Sequence, residues 1–136
     1  MNNDYDLVPI FRLKKIGINP FTHIVWTNMN RPLKISEVAQ TIEEERFESL
    51  GSSASYKNEV RDHVARVAYL VIHPDNKPII MDVGMDDWED TVTIGMVYDG
   101  WHRIAAAIYK KDSFIRASIS GSIKNIEKLL EHKIKR

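Results

Sequence analysis

The sequence predicts an α+β fold, with a mixed sheet flanked by helices in a single domain. Three observations predict it. Apolar residues recur at helical spacing over residues 35–50 and 123–135. Strand-type apolar runs occupy residues 7–13, 64–73, 78–83, 93–98 and 114–120. No repeat, low-complexity tract or linker divides them, and 136 residues fit one domain with its own core.

Taken in order, Leu7 to Leu13 is a short apolar strand, and Lys14 to Phe21, with Gly17 and Pro20, is a turn region. His23 to Trp26 reads as a second short strand or a loop. In Ile35 to Leu50, residues Ile35, Val38, Ala39, Ile42 and Leu50 share one helical face, and Glu43, Glu44, Glu45 and Glu48 form a solvated acidic face. Ser36 is the expected cap and Gly51 the expected stop. Gly51 to Asn58 is small and polar, as in a mobile loop.

Val64 to His73 is rich in Val and Ala and reads as a strand. Pro74 to Lys77 then suits a hairpin turn, and Pro78 to Val83 the return strand. Met85 to Asp90 is an acidic loop around Trp88. Thr93 to Tyr98 is a strand that leads through Asp99-Gly100 into a helix. Phe114 to Ser120 alternates as a half-buried strand does. Ile123 to about Lys135 is the last helix, capped by Ser122.

Composition excludes several classes of function. With no cysteine, disulfides, thiolate metal sites and cysteine nucleophiles are ruled out. Nineteen basic residues balance nineteen acidic ones, so no global charge draws the chain to nucleic acid or to a membrane surface. The opening residues are polar and acidic, unlike a signal peptide, and no apolar run approaches the ~20 residues that span a bilayer. A cytoplasmic protein without membrane partners is expected.

The chemistry concentrates in Asp99-Gly100-Trp101-His102-Arg103. A strand, a glycine turn and a helix start place this polar group where backbone N–H groups lack intrahelical partners and the dipole favours anions. Gly100 permits a backbone geometry that a Cβ resists. Arg103 offers a fork to an oxyanion, and His102 is a donor or an acid–base group near neutral pH. Asp99 can cap the helix, orient the histidine or hold a metal, and Trp101 can stack on a base or cover the sheet edge. A purely structural role fits the same residues: a capping Asp99, a salt-bridged Arg103 and a packed His102.

Residues 99–106, continuing through Ala107, resemble the Asp-Gly-x-His-Arg-x-x-Ala signature of the ParB/sulfiredoxin-like superfamily. The resemblance implies a fold in which a strand ends in this turn and the next helix receives a nucleotide phosphate. It covers Val64 to Gly121, with Tyr69 to Val83 as the family's hairpin and Phe114 to Ser120 as its following strand; residues 7–13 and 35–50 match only loosely. Sulfiredoxins carry a reactive cysteine before the His-Arg pair, where this chain has Trp101. Sulfinic acid reduction is therefore excluded. The nearest text to the second nucleotide motif of CTP-hydrolysing members is Asn58-Glu59-Val60-Arg61. No helix-turn-helix module follows, so a centromere-binding role is not expected.

Three function classes remain at this level. One is an enzyme on phosphates, a nuclease or nucleotide hydrolase, in which Asp99, His102 and Arg103 are catalytic. In that reading Gly100, Trp101, His102 and Arg103 cradle the phosphate. The second is a nucleotide- or nucleic-acid-binding module without turnover. The third is a small interaction protein of a phage or mobile element that binds a protein partner. Zero net charge leans against a nuclease, and DNA binding would need Lys14, Lys15, Arg31, Lys34, Lys110 and Lys111 to converge with the C-terminal basic residues. No residue is assigned as a metal ligand, although the acidic stretch Asp82, Asp86, Asp87, Glu89 and Asp90 offers oxygens that suit Mg²⁺. Arg61-Asp62-His63, with Arg66, reads mainly as the exposed start of a strand, and secondarily as extra charge beside a phosphate.

Overall fold

The computed structural model describes residues 5–26, 29–45, 60–85 and 96–130. Among them lie five helices and four strands. They are β1 (Asp6–Pro9), α1 (Ile10–Lys15), α2 (Ile35–Glu44), α3 (Val60–Ile72), β2 (Ile79–Asp82), β3 (Val97–Asp99), α4 (Trp101–Lys110), β4 (Phe114–Ser120) and α5 (Ile123–Leu130). The strands form one sheet in the order β1-β4-β2-β3. The fold class is α+β with a mixed sheet, as the sequence predicts. None of the described helices is long and apolar enough to cross a membrane. The elements group into two units, one formed by Met1–Ile18, Asn76–Gly100 and Asp112–Arg136, the other by Asn19–Asp75 and Trp101–Lys111.

The first unit holds the sheet. β4 pairs antiparallel with β1 and parallel with β2, while β2 pairs antiparallel with β3 across an irregularity between Ile80 and Met81. Alternation sorts the side chains: Val8, Ile79, Met81, Val97 and Ala117 are buried, whereas Leu7, Ile80 and Tyr98 are exposed. Pro9 ends β1, having no N–H for the ladder, and α1 begins at once, with the Ile10 N–H donating to the Ser113 carbonyl at 2.9 Å. The expected strand over residues 7–13 is therefore half strand and half helix.

α5 starts as expected, with the Ser122 hydroxyl accepting the Asn125 N–H at 3.1 Å. It buries Ile126, Leu129 and Leu130. The amide of Asn125 donates to the carbonyls of Val83 and Gly84, each at 3.1 Å, and Arg12 Nε donates to the Lys128 carbonyl at 3.2 Å. Both polar side chains are buried and direct their donors to backbone carbonyls, that of Gly84 also accepting the Ser122 N–H at 2.9 Å.

The second unit is helical. Met29, Leu33, Val38, Val64, Val67, Ala68, Ala105 and Ala106 form its core, with Phe21, Trp26 and Tyr109 packed against it. The alanines keep side chains short where α3 meets α4. α2 opens at Lys34, whose N–H donates to Glu37 Oε1 at 3.1 Å, so Glu37 caps this helix and the expected Ser36 cap is not used. Glu37 also takes the guanidinium of Arg31, with Nη1 to Oε1 at 3.0 Å and Nη2 to Oε2. That hydrogen bond holds the Glu37 carboxyl below its ordinary pKa. α2 leaves the helical region at Glu45, φ 53°. Ile35 and Ala39 are exposed and Thr41 is buried, so the buried face is rotated from the expected one. Glu43 to Glu45 are exposed, as expected.

Residues 60–72 correct the sequence reading. They form α3, not a strand, and Pro74 to Lys77 link a helix to β2 instead of turning a hairpin. The resemblance's hairpin over Tyr69 to Val83 is absent for the same reason. The physical signal is burial at 63–65, 67 and 68 with exposure at 66, 69 and 72, a helical rhythm that a strand's alternation cannot give. Val and Ile supplied β propensity, and packing overrode it. His23 to Trp26 form no strand. The expectations for residues 46–59, 86–95 and 131–136 lie outside the described residues: the end of the 35–50 helix, the mobile loop, the acidic loop with Trp88, Asn58-Glu59, and the end of the last helix with its basic residues.

Candidate functional site

The turn before α4 is built as the sequence predicts. β3 ends at Asp99, which is exposed, and Gly100 adopts φ 118°. A Cβ on Gly100 would sit 2.4 Å from Ile79 Cγ2 and 2.7 Å from Ile79 Cβ. Glycine is therefore required twice, by the backbone angle and by the adjacent strand.

α4 then begins with Trp101, His102 and Arg103, all partly buried. Its first turn contains no acidic residue, so no carboxylate of α4 itself competes for the amides there. Ile104 to Ala107 are buried and anchor the helix.

His102 does not point alone into solvent. Its Nε2 lies 2.9 Å from Nδ1 of His63, a buried residue of α3. The two ring centroids are 5.1 Å apart at 19°. That separation is about a hydrogen bond plus two ring radii, so the imidazoles lie edge to edge in nearly one plane. Trp26 covers both: its ring centroid is 4.1 Å from that of His63 at 17°, and 4.7 Å from that of His102 at 25°. One indole plate lies on a hydrogen-bonded imidazole pair, within the second unit.

Burial, with smaller contributions from the positive charges of His63 and Arg66, pushes the pKa of His102 down to about 3. At neutral pH His102 is an uncharged donor or acceptor. It supplies neither a cation nor a general acid poised near pH 7. Fixed positive charge next to His102 comes from Arg103, its neighbour in sequence, and from the exposed Arg66, whose charge acts on His102. Arg31 does not add to it freely, because Glu37 holds its fork.

Of the Arg61-Asp62-His63 cluster with Arg66, two members meet His102: His63 by a direct hydrogen bond and Arg66 by its charge. The expectation of an exposed strand start fails for His63, which is 4% exposed on a helix. Trp26 was not assigned to this site, and no local pattern pointed to it. For His63 a signal existed: read as a helix, residues 63, 67 and 71 share a face with the apolar positions. His23 bonds its neighbour Thr22 and His73 lies against Tyr69, so neither joins the site. Among the described residues, no group of three His, Asp or Glu could hold a metal ion. Asp82 accepts the Gly84 N–H at 2.8 Å in an exposed local turn. No protein-family model, curated protein or solved structure matches the chain.

Proposed function

We propose that the chain binds a phosphate-bearing ligand, a nucleotide or nucleic acid, at the first turn of α4. The observation that carries this reading is the His63–His102 pair. Two imidazoles are placed together inside the helical unit, beside Arg103 and at a helix start, where packing alone would favour carbon. The likeness of residues 99–106 to the Asp-Gly-x-His-Arg-x-x-Ala signature supports the same ligand class.

The pairing assigns roles. His102 can donate to a phosphate oxygen only from Nδ1, so its Nε2 must accept from the Nδ1–H of His63. His63 is then a positioning residue that selects the tautomer, and Trp26 holds both rings in plane. Arg103 supplies the charge, and the first-turn amides complete the oxyanion shell. This is a binding role: an imidazole with a pKa near 3 transfers protons poorly at pH 7.

The test is the melting temperature of the full chain with nucleoside mono-, di- and triphosphates, with and without Mg²⁺, and with short single- and double-stranded DNA. A rise in the wild type that is lost in Arg103→Ala supports the reading. Absence of any rise with every ligand overturns it.

A further inference from the structure

We propose that the Trp26–His63–His102 cluster is an acid-released latch, which holds the chain around Trp26 on α3 and α4 at neutral pH and lets it go when the imidazole pair takes up protons. The proposal does not depend on any ligand of the second unit.

The geometry sets the mechanism. Nitrogens 2.9 Å apart share a single hydrogen, so one imidazole must present a lone pair to the other. When both rings carry two protons, donor faces donor and the bond becomes a repulsion. A proton on His102 is already costly, first because the imidazole is buried; the charge of Arg66 on α3 opposes it further, and so does that of His63 once His63 is itself protonated. From the segment before α2, Trp26 covers the pair with an uncharged ring, and on α4 the next side chain is Arg103. Release solvates the imidazoles and removes the penalty. Trp26 packs in one cluster with Phe21, Met29 and Leu33, so its release also loosens the neighbouring backbone, including the Thr22 and His23 N–H groups on the Asn19 carbonyl and the Leu33 N–H on the Pro20 carbonyl.

Linkage gives the sign and slope. An imidazole whose proton affinity is suppressed when latched binds protons better when released. The released fraction therefore grows as pH falls below about 6.5, by about tenfold per pH unit for one such imidazole, until the latched form itself titrates. The depressed pKa of His102, about 3, leaves that whole window open.

Amide hydrogen exchange on the full chain tests this, read by NMR as protection factors from pH 7 to pH 4.5. Protection at Thr22, His23 and Leu33 is expected to fall about tenfold per pH unit, while Val83 and Ile10, bonded to Ser120 and Ser113, keep theirs. The double variant His63→Phe with His102→Phe keeps rings against Trp26 and removes the protons, so its slope is expected to be flat. Should that variant not fold, the imidazole ring signals of the wild type must shift in step with the loss of protection. Equal losses at all five amides overturn the latch, as does a slope retained in the double variant. Ring signals that titrate with no change at Leu33 overturn it too.

Discussion

Both units bury polar side chains, and they do so to different ends. In the first, Asn125 and Arg12 donate to backbone carbonyls of Val83, Gly84 and Lys128. Neither group changes charge across ordinary pH, so these bonds are permanent pins. In the second, His63 and His102 bond to each other, and each can gain a proton. A pin fixes geometry; a titratable pair makes geometry conditional. The difference teaches where in the molecule a response to conditions can arise.

The largest expected effect breaks the comparison by pH. The His102 pKa is lowered on folding, so the unfolded chain binds protons more readily than the folded one below about pH 6.5. The contribution of this site is then present at neutral pH and lost as pH falls from about 6.5 toward 3, reaching on the order of 4 kcal/mol. Denaturant unfolding followed by helical circular dichroism at pH 7 and pH 4 is expected to show that loss in the wild type and to show much less of it in His102→Phe. Next, Gly100→Ala is expected to cost about 3 kcal/mol at every pH, from a strained backbone and a clash with Ile79. Calorimetric melting checks it.

Asn125→Ala sharpens the contrast. It leaves the Val83 and Gly84 carbonyls without this donor, an expected cost of about 2 kcal/mol that does not vary with pH. A pH-dependent cost would show that the pin is part of a titrating network. The smallest effect is expected for Glu37→Gln. The amide oxygen can still cap Lys34, while the charge and one of the two hydrogen bonds to the partly exposed Arg31 are lost, a fall in melting temperature of about a degree or two at moderate salt.

Much of this frame was legible. β4 occupies the residues its alternation predicted, α5 starts behind the Ser122 cap, and the glycine turn leads into α4 at Trp101. These are local signals, in which side-chain period, cap and turn residue agree. α3 was illegible by composition, because Val64, Val67, Val71 and Ile72 carry β propensity whatever fold they join. The partnership of His63 with His102 was illegible for a deeper reason. They lie 39 residues apart, and only the packing of α3 on α4 makes them neighbours. Trp26 enters by the same tertiary route. Sequence located the helix start with Arg103 and one imidazole, and packing supplied the second imidazole and its cover.

The pairing of β1 with β4 sets a schedule for the chain's synthesis. Asp6 lies opposite Ala117 in the sheet. β1 leaves the ribosome more than a hundred residues ahead of its partner β4, and must wait with its ladder groups open until β4 has emerged. Nascent chains stalled before residue 114 would carry an orphan strand and are expected to stay on chaperones, whereas helices of the second unit can begin to form as they appear.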